Sequence, residues 1–312
     1  MKKISIIGAG NIGSVTALLL GLKEAAKEIV LMDIIEGMPI GKALDLSQLM
    51  ALYGIDINIK GTNDISDIKD SDIVIVTSGV PRKPGMSRED LITTNAKIIK
   101  EVSNNIKKFA PNSIVIMVAN PLDSMTYLAL KITGFPRERV IGMAGVLDSA
   151  RFKRFISWEL GISSNAVNSF VLGSHGDTMV PSITYTTVGG VPVKDLLEKE
   201  KLEKIVERTR KAGGEIVGYL KTGSAFFAPS GSIVKMVMSI VKDKKELLPC
   251  SVYTKGEYGL EDTVLGLPVI LGAKGMEKIV EFELPEEEKE ALKRSAEAIK
   301  KTCKELYKLG IL

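Results

Sequence analysis

The sequence predicts an α/β protein with a doubly wound, parallel sheet in its first half and a second domain of α+β type. Up to about residue 144, short apolar runs alternate with segments of helical periodicity. Beyond that point, helices mix with strands of antiparallel character. The 312 residues exceed what most single cores need, so we place two domains at residues 1–144 and 145–312.

Six apolar runs predict the strands of the first sheet. Strands of a parallel sheet are covered on both faces, and their sequences are therefore apolar throughout instead of alternating. The strands are predicted at residues 3–10, 28–34, 57–62, 71–79, 113–120 and 139–144. Helical patterns fall between them at residues 11–26, 41–52, 88–110 and 122–133.

The second half of the chain has a different order of predicted helices and strands. Helices are predicted at residues 147–161, 199–221, 228–242 and 286–308, and strand patterns lie within residues 165–173, 182–193, 247–259 and 268–279. No internal repeat and no low-complexity linker separates these elements. The mixture predicts an α+β domain that follows the parallel sheet.

Composition excludes several function classes. A formal net charge of +4 without a dense basic cluster indicates neither nucleic acid nor an anionic membrane as a partner, and no apolar run is long enough to cross a bilayer. The start, "MKKISIIGAG", is interpreted as a first strand and not a signal peptide, because its apolar run breaks at Gly8. Cys250 and Cys303 lie far apart, which favours a reducing, cytoplasmic setting without a disulfide framework or metal site.

A glycine-rich turn follows the first predicted strand and begins a predicted helix. It reads "GAGNIG" and consists of Gly8, Ala9, Gly10, Asn11, Ile12 and Gly13. Asp33 ends the next strand, 20 residues after the last glycine. This context is typical of the Rossmann dinucleotide fingerprint, in which the helix N-terminus binds the pyrophosphate and the acidic residue binds the adenosine ribose. A carboxylate would repel a 2′-phosphate, so we expect NAD as the cofactor.

The only histidine, His175, lies between glycine-containing flanks in "LGSHGDT". Acid–base chemistry by an imidazole needs an anion that sets its tautomer and stabilises its charged form. Asp148 is a candidate, and Arg151 follows it by one helical turn. An Asp/Arg pair at this spacing is also a common surface ion pair, so the residues alone leave both interpretations open.

The segment "VPRKPGMSRED" at residues 80–90 lies between a predicted strand and a predicted helix. Its prolines and glycine indicate a loop, and Arg82 and Arg88 stand six residues apart within it. The two cations either face solvent or bind a ligand with two negative ends.

Four separated motifs resemble one family. "GAGNIG" with its aspartate, "PRKPGMSR", "VANPLD" and "GVLDSAR" with "GSHGD" are similar in order and spacing to the lactate/malate dehydrogenase superfamily. Within it, they most resemble the lactate-dehydrogenase-like malate dehydrogenases of bacteria and archaea. The resemblance covers nearly the whole chain.

The resemblance implies roles for individual residues. His175 is then the proton acceptor, Asp148 orients its imidazole, and Arg88 polarises the C2 carbonyl. The residues implied to bind substrate are Arg82, Arg88, Asn120, Arg151 and Ser224, and those implied to approach the cofactor, besides the glycine turn and Asp33, are Asn95, Val118, Ala119 and Asn120. The Asn120–Pro121 bond is implied to be cis, and the loop at residues 80–90 a lid.

The substrate depends on Arg82 in this interpretation. Malate carries a second carboxylate that a cation binds, whereas lactate does not, so Arg82 favours malate and oxaloacetate over lactate and pyruvate. L-Lactate or a broader range of 2-hydroxy acids is the alternative. A non-catalytic NAD sensor is a further alternative, but it has no need of this set of residues. A metal-dependent NAD glycosidase is another, but it needs a metal held by Cys and His, and neither "NPLDSMT" nor "GSHGD" carries a cysteine. The family resemblance also implies a homotetramer, with a homodimer as the alternative.

Overall fold

A computed structural model describes residues 2–80 and 88–312, with only the main chain at residues 88 and 89. The six predicted strands are present as β1 (Lys3–Ile7), β2 (Glu28–Met32), β3 (Asn58–Thr62), β4 (Ile73–Val76), β5 (Ile114–Met117) and β6 (Val140–Gly142). They pair in parallel in the order β3-β2-β1-β4-β5-β6. This is the Rossmann order, which opens a ligand crevice where the strand order reverses at β1 and β4.

The helices between these strands follow the predicted pattern, with shifts at two ends. They are α1 (Asn11–Leu22), α2 (Met38–Leu52), α3 (Arg88–Phe109) and α4 (Leu122–Thr133). We expected α1 to run to residue 26, but it ends at Leu22, and Glu24 takes a left-handed conformation with φ of 49°. We expected α2 to begin at residue 41, but Pro39 already lies in its first turn, a position that suits proline.

The second half has the predicted α+β character. Its helices are α5 (Gly145–Leu160), α6 (Lys199–Leu220), α7 (Phe227–Val241) and α8 (Glu286–Lys308). Its strands are β7 (Val167–Leu172), β8 (Val180–Val188), β9 (Val191–Pro192), β10 (Glu246–Lys255), β11 (Glu261–Gly272) and β12 (Gly275–Ile279). The first three strands form a separate antiparallel sheet.

The other three strands extend the first sheet, a feature that the sequence did not predict. Antiparallel β10 pairs with β6 through Ser251 and Gly142, and β11 and β12 continue outward from β10. A side chain at position 142 would bring its Cβ within 2.8 Å of the Ser251 Cβ, so glycine permits this close pairing. The two halves of the chain therefore share one sheet.

The core lies between this sheet and the helices on its two faces. Ile6, Ile75 and Ile116 on neighbouring strands are fully buried, as expected for a sheet covered on both sides. Among the described residues, none of the helices has the combination of length and apolar character that a membrane crossing needs. The carboxyl ends of β1, β2, β4 and β5 all lie at one edge, which places the segments after them together.

Candidate active site

The turn between β1 and α1 is held by close main-chain packing. Gly8 has φ of +110°, and a Cβ there would lie 2.6 Å from the Thr77 Oγ1. A Cβ at Gly13 would lie 1.9 Å from the Gly8 carbonyl oxygen, so both positions need glycine. At Gly10 no heavy atom lies within 4 Å of that position. The turn therefore presents an open main-chain surface at the start of α1, as a bound pyrophosphate requires.

Asp33 lies beside this turn at the end of β2. Its Oδ2 accepts a hydrogen bond from the Ala9 N–H at 2.7 Å, and its Oδ1 accepts one from the Ile35 N–H at 3.1 Å. Lys42 donates from Nζ to the Ala9 carbonyl at 2.6 Å. A carboxylate has about four acceptor positions, so two remain on Asp33 for ribose hydroxyls. The arrangement fits an adenosine ribose at this end of the crevice.

A second group of side chains surrounds His175, in the loop after β7. The Nδ1 of His175 lies 2.7 Å from the Oδ2 of Asp148, which is buried on α5. The Nη1 of Arg151 donates to the other oxygen, Oδ1, at 2.9 Å. One carboxylate therefore holds both the imidazole and the guanidinium. The surface ion pair that the sequence left open is excluded for Asp148 and Arg151, because they join a buried network.

The charge of Asp148 decides the protonation of His175. Burial by itself lowers the pKa of the imidazole, but the charge of Asp148 and its hydrogen bond outweigh burial, so the pKa of His175 is raised. Because Asp148 can only accept when ionised, Nδ1 carries the hydrogen in neutral His175. The free Nε2 is then the atom that can take up a proton.

Arg151 has unused hydrogen-bonding capacity. Its side chain is 13% exposed, and its buried Nε has no hydrogen-bond partner among the described residues. Gly213 on α6 lies against the guanidinium, where a Cβ would be 3.8 Å from Nη2. A buried donor without a partner is costly, and a carboxylate is the ligand whose geometry matches this fork.

A cavity of about 400 Å³ lies beside the histidine. His175 and Asn120 both line it, and Asn120 lies after β5 just before α4. The Asn120–Pro121 bond is cis, as the resemblance implied. Val118 and Ala119, which precede Asn120, are buried. The cavity thus holds the histidine and an amide that the sequence predicted as substrate-binding.

Asn95 occupies a buried position on α3, where it bonds to main chain. Its Nδ2 donates to the carbonyls of Val80 at 3.1 Å and Asn120 at 2.7 Å, and its Oδ1 accepts from the Val80 N–H at 2.8 Å. Both amide hydrogens are therefore used within the protein. The side chain connects the segments after β4 and β5, and its predicted contact with the cofactor stays a prediction.

One predicted residue, Ser224, is not brought into this cluster, and the side chains of two others lie outside the part of the chain that the structure describes. Ser224 is exposed between α6 and α7 and does not line the described part of the cavity. Arg82 lies outside the described residues, and so does the side chain of Arg88, whose main chain begins α3. Within residues 2–80 and 90–312, no group of three or more metal-ligating side chains occurs.

Asp123, which the Ser251 hydroxyl bonds, is a residue of the site that sequence reasoning missed. Asp123 on α4 accepts hydrogen bonds from the His175 N–H at 2.9 Å and from the Ser251 Oγ at 2.5 Å. Asp123 also lines the cavity. The available signal was an acidic residue in the first turn of a helix, directly after a strand end that carries a candidate ligand.

Comparisons with known proteins agree with this geometry. A family model described as the lactate/malate dehydrogenase NAD binding domain matches residues 2–142, and one described as the lactate/malate dehydrogenase alpha/beta C-terminal domain matches residues 145–309. The chain belongs to the lactate/malate dehydrogenase family. It is therefore an NAD-dependent oxidoreductase.

Individual relatives are similar over their whole length. A malate dehydrogenase of Chlorobium luteolum is 52% identical over 97% of this chain and 98% of its own. The crystal structure of Cryptosporidium parvum malate dehydrogenase has a TM-score of 0.95 at 45% identity, covering 98% of this chain and 99% of that one. A lactate dehydrogenase of Eimeria maxima with NADH and oxamate also has a TM-score of 0.95, at 39% identity over 99% of this chain and 95% of that one. The fold alone does not separate the two substrates.

Proposed function

We propose that this member of the lactate/malate dehydrogenase family oxidises (S)-malate to oxaloacetate with NAD⁺ and catalyses the reverse reaction. The observation that carries the chemistry is the His175–Asp148 pair at 2.7 Å, beside a cavity that Asn120 also lines. The choice of malate follows from malate dehydrogenases that are about half identical over nearly the whole chain. NAD supplies the acceptor for the hydride that leaves C2 of the substrate.

His175 acts as the proton acceptor during oxidation. Nδ1 is held by Asp148, which leaves the lone pair of Nε2 free to take the proton of the C2 hydroxyl. The imidazolium that forms lies against the buried carboxylate of Asp148, which stabilises the positive charge. In the reverse direction the same imidazolium donates the proton to the developing alkoxide.

Arginine and asparagine side chains orient the substrate in this proposal. Arg151 binds the C1 carboxylate through its fork, which gives its buried Nε a partner. Asn120 donates to the substrate oxygen from the cavity wall. Arg88 polarises the C2 carbonyl and Ser224 completes the pocket, both on the basis of the family resemblance.

Arg82 is proposed to choose malate over lactate. The distal carboxylate of malate pairs with this cation, whereas pyruvate would leave a cation unpaired in a site closed to water. Removing the partner of such a buried charge costs about 3–5 kcal/mol, which corresponds to a factor of about 10²–10³ or more in kcat/KM. The lactate dehydrogenases of the same fold make pyruvate the competing substrate to test.

A substrate panel tests the proposal. Oxaloacetate, pyruvate and other 2-keto acids are reduced with NADH and with NADPH, and we expect the highest kcat/KM for oxaloacetate with NADH. Arg82→Gln should raise the ratio of the kcat/KM for pyruvate to that for oxaloacetate by about 10²–10³. A panel led by pyruvate in the unchanged protein would contradict the assignment of malate.

Lys83→Gln is the matched control for that variant. It removes the same charge from the neighbouring position. We expect it to leave the substrate ratio nearly unchanged. If both variants alter the ratio equally, a general charge effect and not pairing with Arg82 selects the substrate.

We further propose a homotetramer, with a homodimer as the alternative, located in the cytoplasm. Apolar side chains on described surfaces support association: Ile40 and Leu44 are 52% and 60% exposed on one side of α2, and Phe227 is 71% exposed at the start of α7. Light scattering coupled to gel filtration measures the assembly directly.

The buried free thiols of Cys250 and Cys303 support a reducing compartment. The domain division at residues 144 and 145 is supported by the limits of the two family models.

A further inference from the structure

Asp123 is a buried carboxyl whose role the proposed reaction does not assign. It lies in the first turn of α4, three residues after Asn120, and is 5% exposed. Its Oδ1 accepts from the Ser251 Oγ on β10, and its Oδ2 accepts from the main-chain N–H of His175. One side chain thus joins α4, β10 and the histidine loop.

Two carboxylates therefore hold the same histidine in different ways. Asp148 holds the imidazole ring through Nδ1, and Asp123 holds the main chain that carries the ring. Asn120 lies just before α4 and Asp123 in its first turn, so a firm contact from Asp123 to His175 also fixes the imidazole relative to the amide on the cavity wall. Ring orientation depends on both contacts, because a rotated main chain would carry Nδ1 away from Asp148.

Burying the charge of Asp123 costs more free energy than a purely structural hydrogen-bonded link would. Burial raises the pKa of Asp123 to about 6, although the hydrogen bonds from Ser251 and from the His175 N–H lower it. A neutral asparagine could accept from the His175 N–H and donate to the Ser251 Oγ, which can also accept, without burying a charge. The charge has a consequence that an amide would lack, since the negative Asp123 acts to raise the pKa of His175.

We propose that Asp123 is a positioning residue for His175: its carboxylate anchors the main-chain N–H, and its negative charge adds to that of Asp148 in stabilising the imidazolium. The effect on turnover rests on the proposed function, whereas the effect on the histidine itself does not. When Asp123 takes up a proton, the imidazolium loses one of its two stabilising charges.

Among the described residues, few titratable groups face Asp123 from the elements packed around it. They are His175 on the loop after β7, Asp148 on α5 and Cys303 on α8. Burial raises the pKa of the Cys303 thiol to about 12, so this group stays neutral. Besides Asp123, the charges that act on His175 are those of Asp148, which raises the pKa of the imidazole, and Arg151, which lowers it.

The single histidine permits a direct test without substrate. Protein labelled with ¹⁵N-histidine gives one main-chain amide signal and one set of ring signals. In the unchanged protein, we expect the amide signal to show an inflection near pH 6 from Asp123, in addition to that of the ring. In Asp123→Asn this inflection should vanish and the ring pKa should fall by about 0.5–1 unit.

Two further variants complete the experiment. Ser251→Ala keeps the carboxylate but removes a hydrogen bond that lowers its pKa, so the amide inflection should move to higher pH. Asp67→Asn changes a carboxylate that is bonded to Lys60 and Thr62, away from His175, and should leave both signals unaltered. If Asp123→Asn fails to fold, Ser251→Ala decides, and an unmoved inflection overturns the proposal.

The outcomes separate the two proposals. A ring pKa in Asp123→Asn within about 0.2 units of the parent would make Asp123 structural only. With the expected shift, the pH at which oxaloacetate reduction declines should fall by the same amount, while the dissociation constant of NADH stays constant. A shifted ring pKa in a protein that does not reduce oxaloacetate would overturn the proposed substrate and leave the positioning role intact.

Discussion

The cofactor turn and the histidine cluster are built on different principles. The turn consists of neighbouring residues whose main chains touch, as in the contact between Gly13 and the Gly8 carbonyl. The cluster is made of charged side chains from distant parts of the sequence, with Asp123, Asp148 and His175 on three different elements. The cofactor turn depends on close packing that leaves no room for added side-chain atoms. The histidine cluster depends on buried charged side chains.

This difference predicts how each site fails. An added methyl group should damage the cofactor turn while leaving the charges of the histidine cluster in place. A change of charge at constant volume should damage the cluster while leaving cofactor binding in place. The following predictions test this separation, beginning with the largest expected effect.

His175→Asn should abolish most turnover without loss of NADH. The amide has a similar shape near the main chain but cannot accept and release a proton at neutral pH. We expect kcat for oxaloacetate reduction to fall by about 10³–10⁴. NADH fluorescence titration should give a dissociation constant within a factor of about two of the parent, because no residue of the turn is altered. A kcat within tenfold of the parent would place the acid–base group elsewhere.

Two glycine variants test the other site. Gly13→Ala places a Cβ 1.9 Å from the Gly8 oxygen and should lower the free energy of unfolding by about 1–3 kcal/mol or more. Gly10→Ala enters open space and should change stability by less than about 0.5 kcal/mol.

Both glycine variants should weaken NADH binding, Gly10→Ala by occupying the surface that faces the ligand. Denaturant unfolding without cofactor measures the first effect, and fluorescence titration the second. Equal stabilities for the two variants would refute the distinction between a packing glycine and a ligand-facing glycine.

The same contrast explains what could be predicted from the sequence. The glycine turn and Asp33 lie close together in the chain and follow local geometry, so their arrangement could be expected from the residues alone. The strands of the parallel sheet were also predictable, because Ile73–Val76 and Ile114–Met117 are apolar at every position.

Features that depend on distant pairing could not be derived in this way. No local pattern shows that Ser251 on β10 lies opposite Gly142 on β6, since 109 residues separate them. The role of Asp123 could not be predicted either. It requires the main chain of His175, which is distant in sequence, to lie over the start of α4. The pairing of His175 with Asp148 could be expected from the family resemblance, whereas their residues alone left it open.

Asp123→Asn should stabilise the protein while it lowers the pKa of His175. The variant therefore separates the effect of the Asp123 charge on stability from its effect on the imidazole. The pKa of Asp123 in the folded protein, about 6, lies above its ordinary value of 3.8. The folded state therefore binds the proton more tightly, and the stability of the parent rises as pH falls from about 6 towards 3.8. Above pH 6 the ionised, buried carboxylate costs up to about 3 kcal/mol, which asparagine avoids.

We therefore expect Asp123→Asn to unfold at higher denaturant concentration than the parent at pH 8, by about 1–3 kcal/mol in free energy, with the difference shrinking as the pH falls below 6. Asp67→Asn should change the free energy of unfolding in the opposite direction. The hydrogen bonds from Lys60 and Thr62 lower the pKa of Asp67, so the loss of this carboxylate should destabilise the protein slightly at pH 8. A destabilised Asp123→Asn at pH 8 would mean that the charge strengthens the fold. The stability of the fold alone would then account for the carboxylate, without a catalytic role.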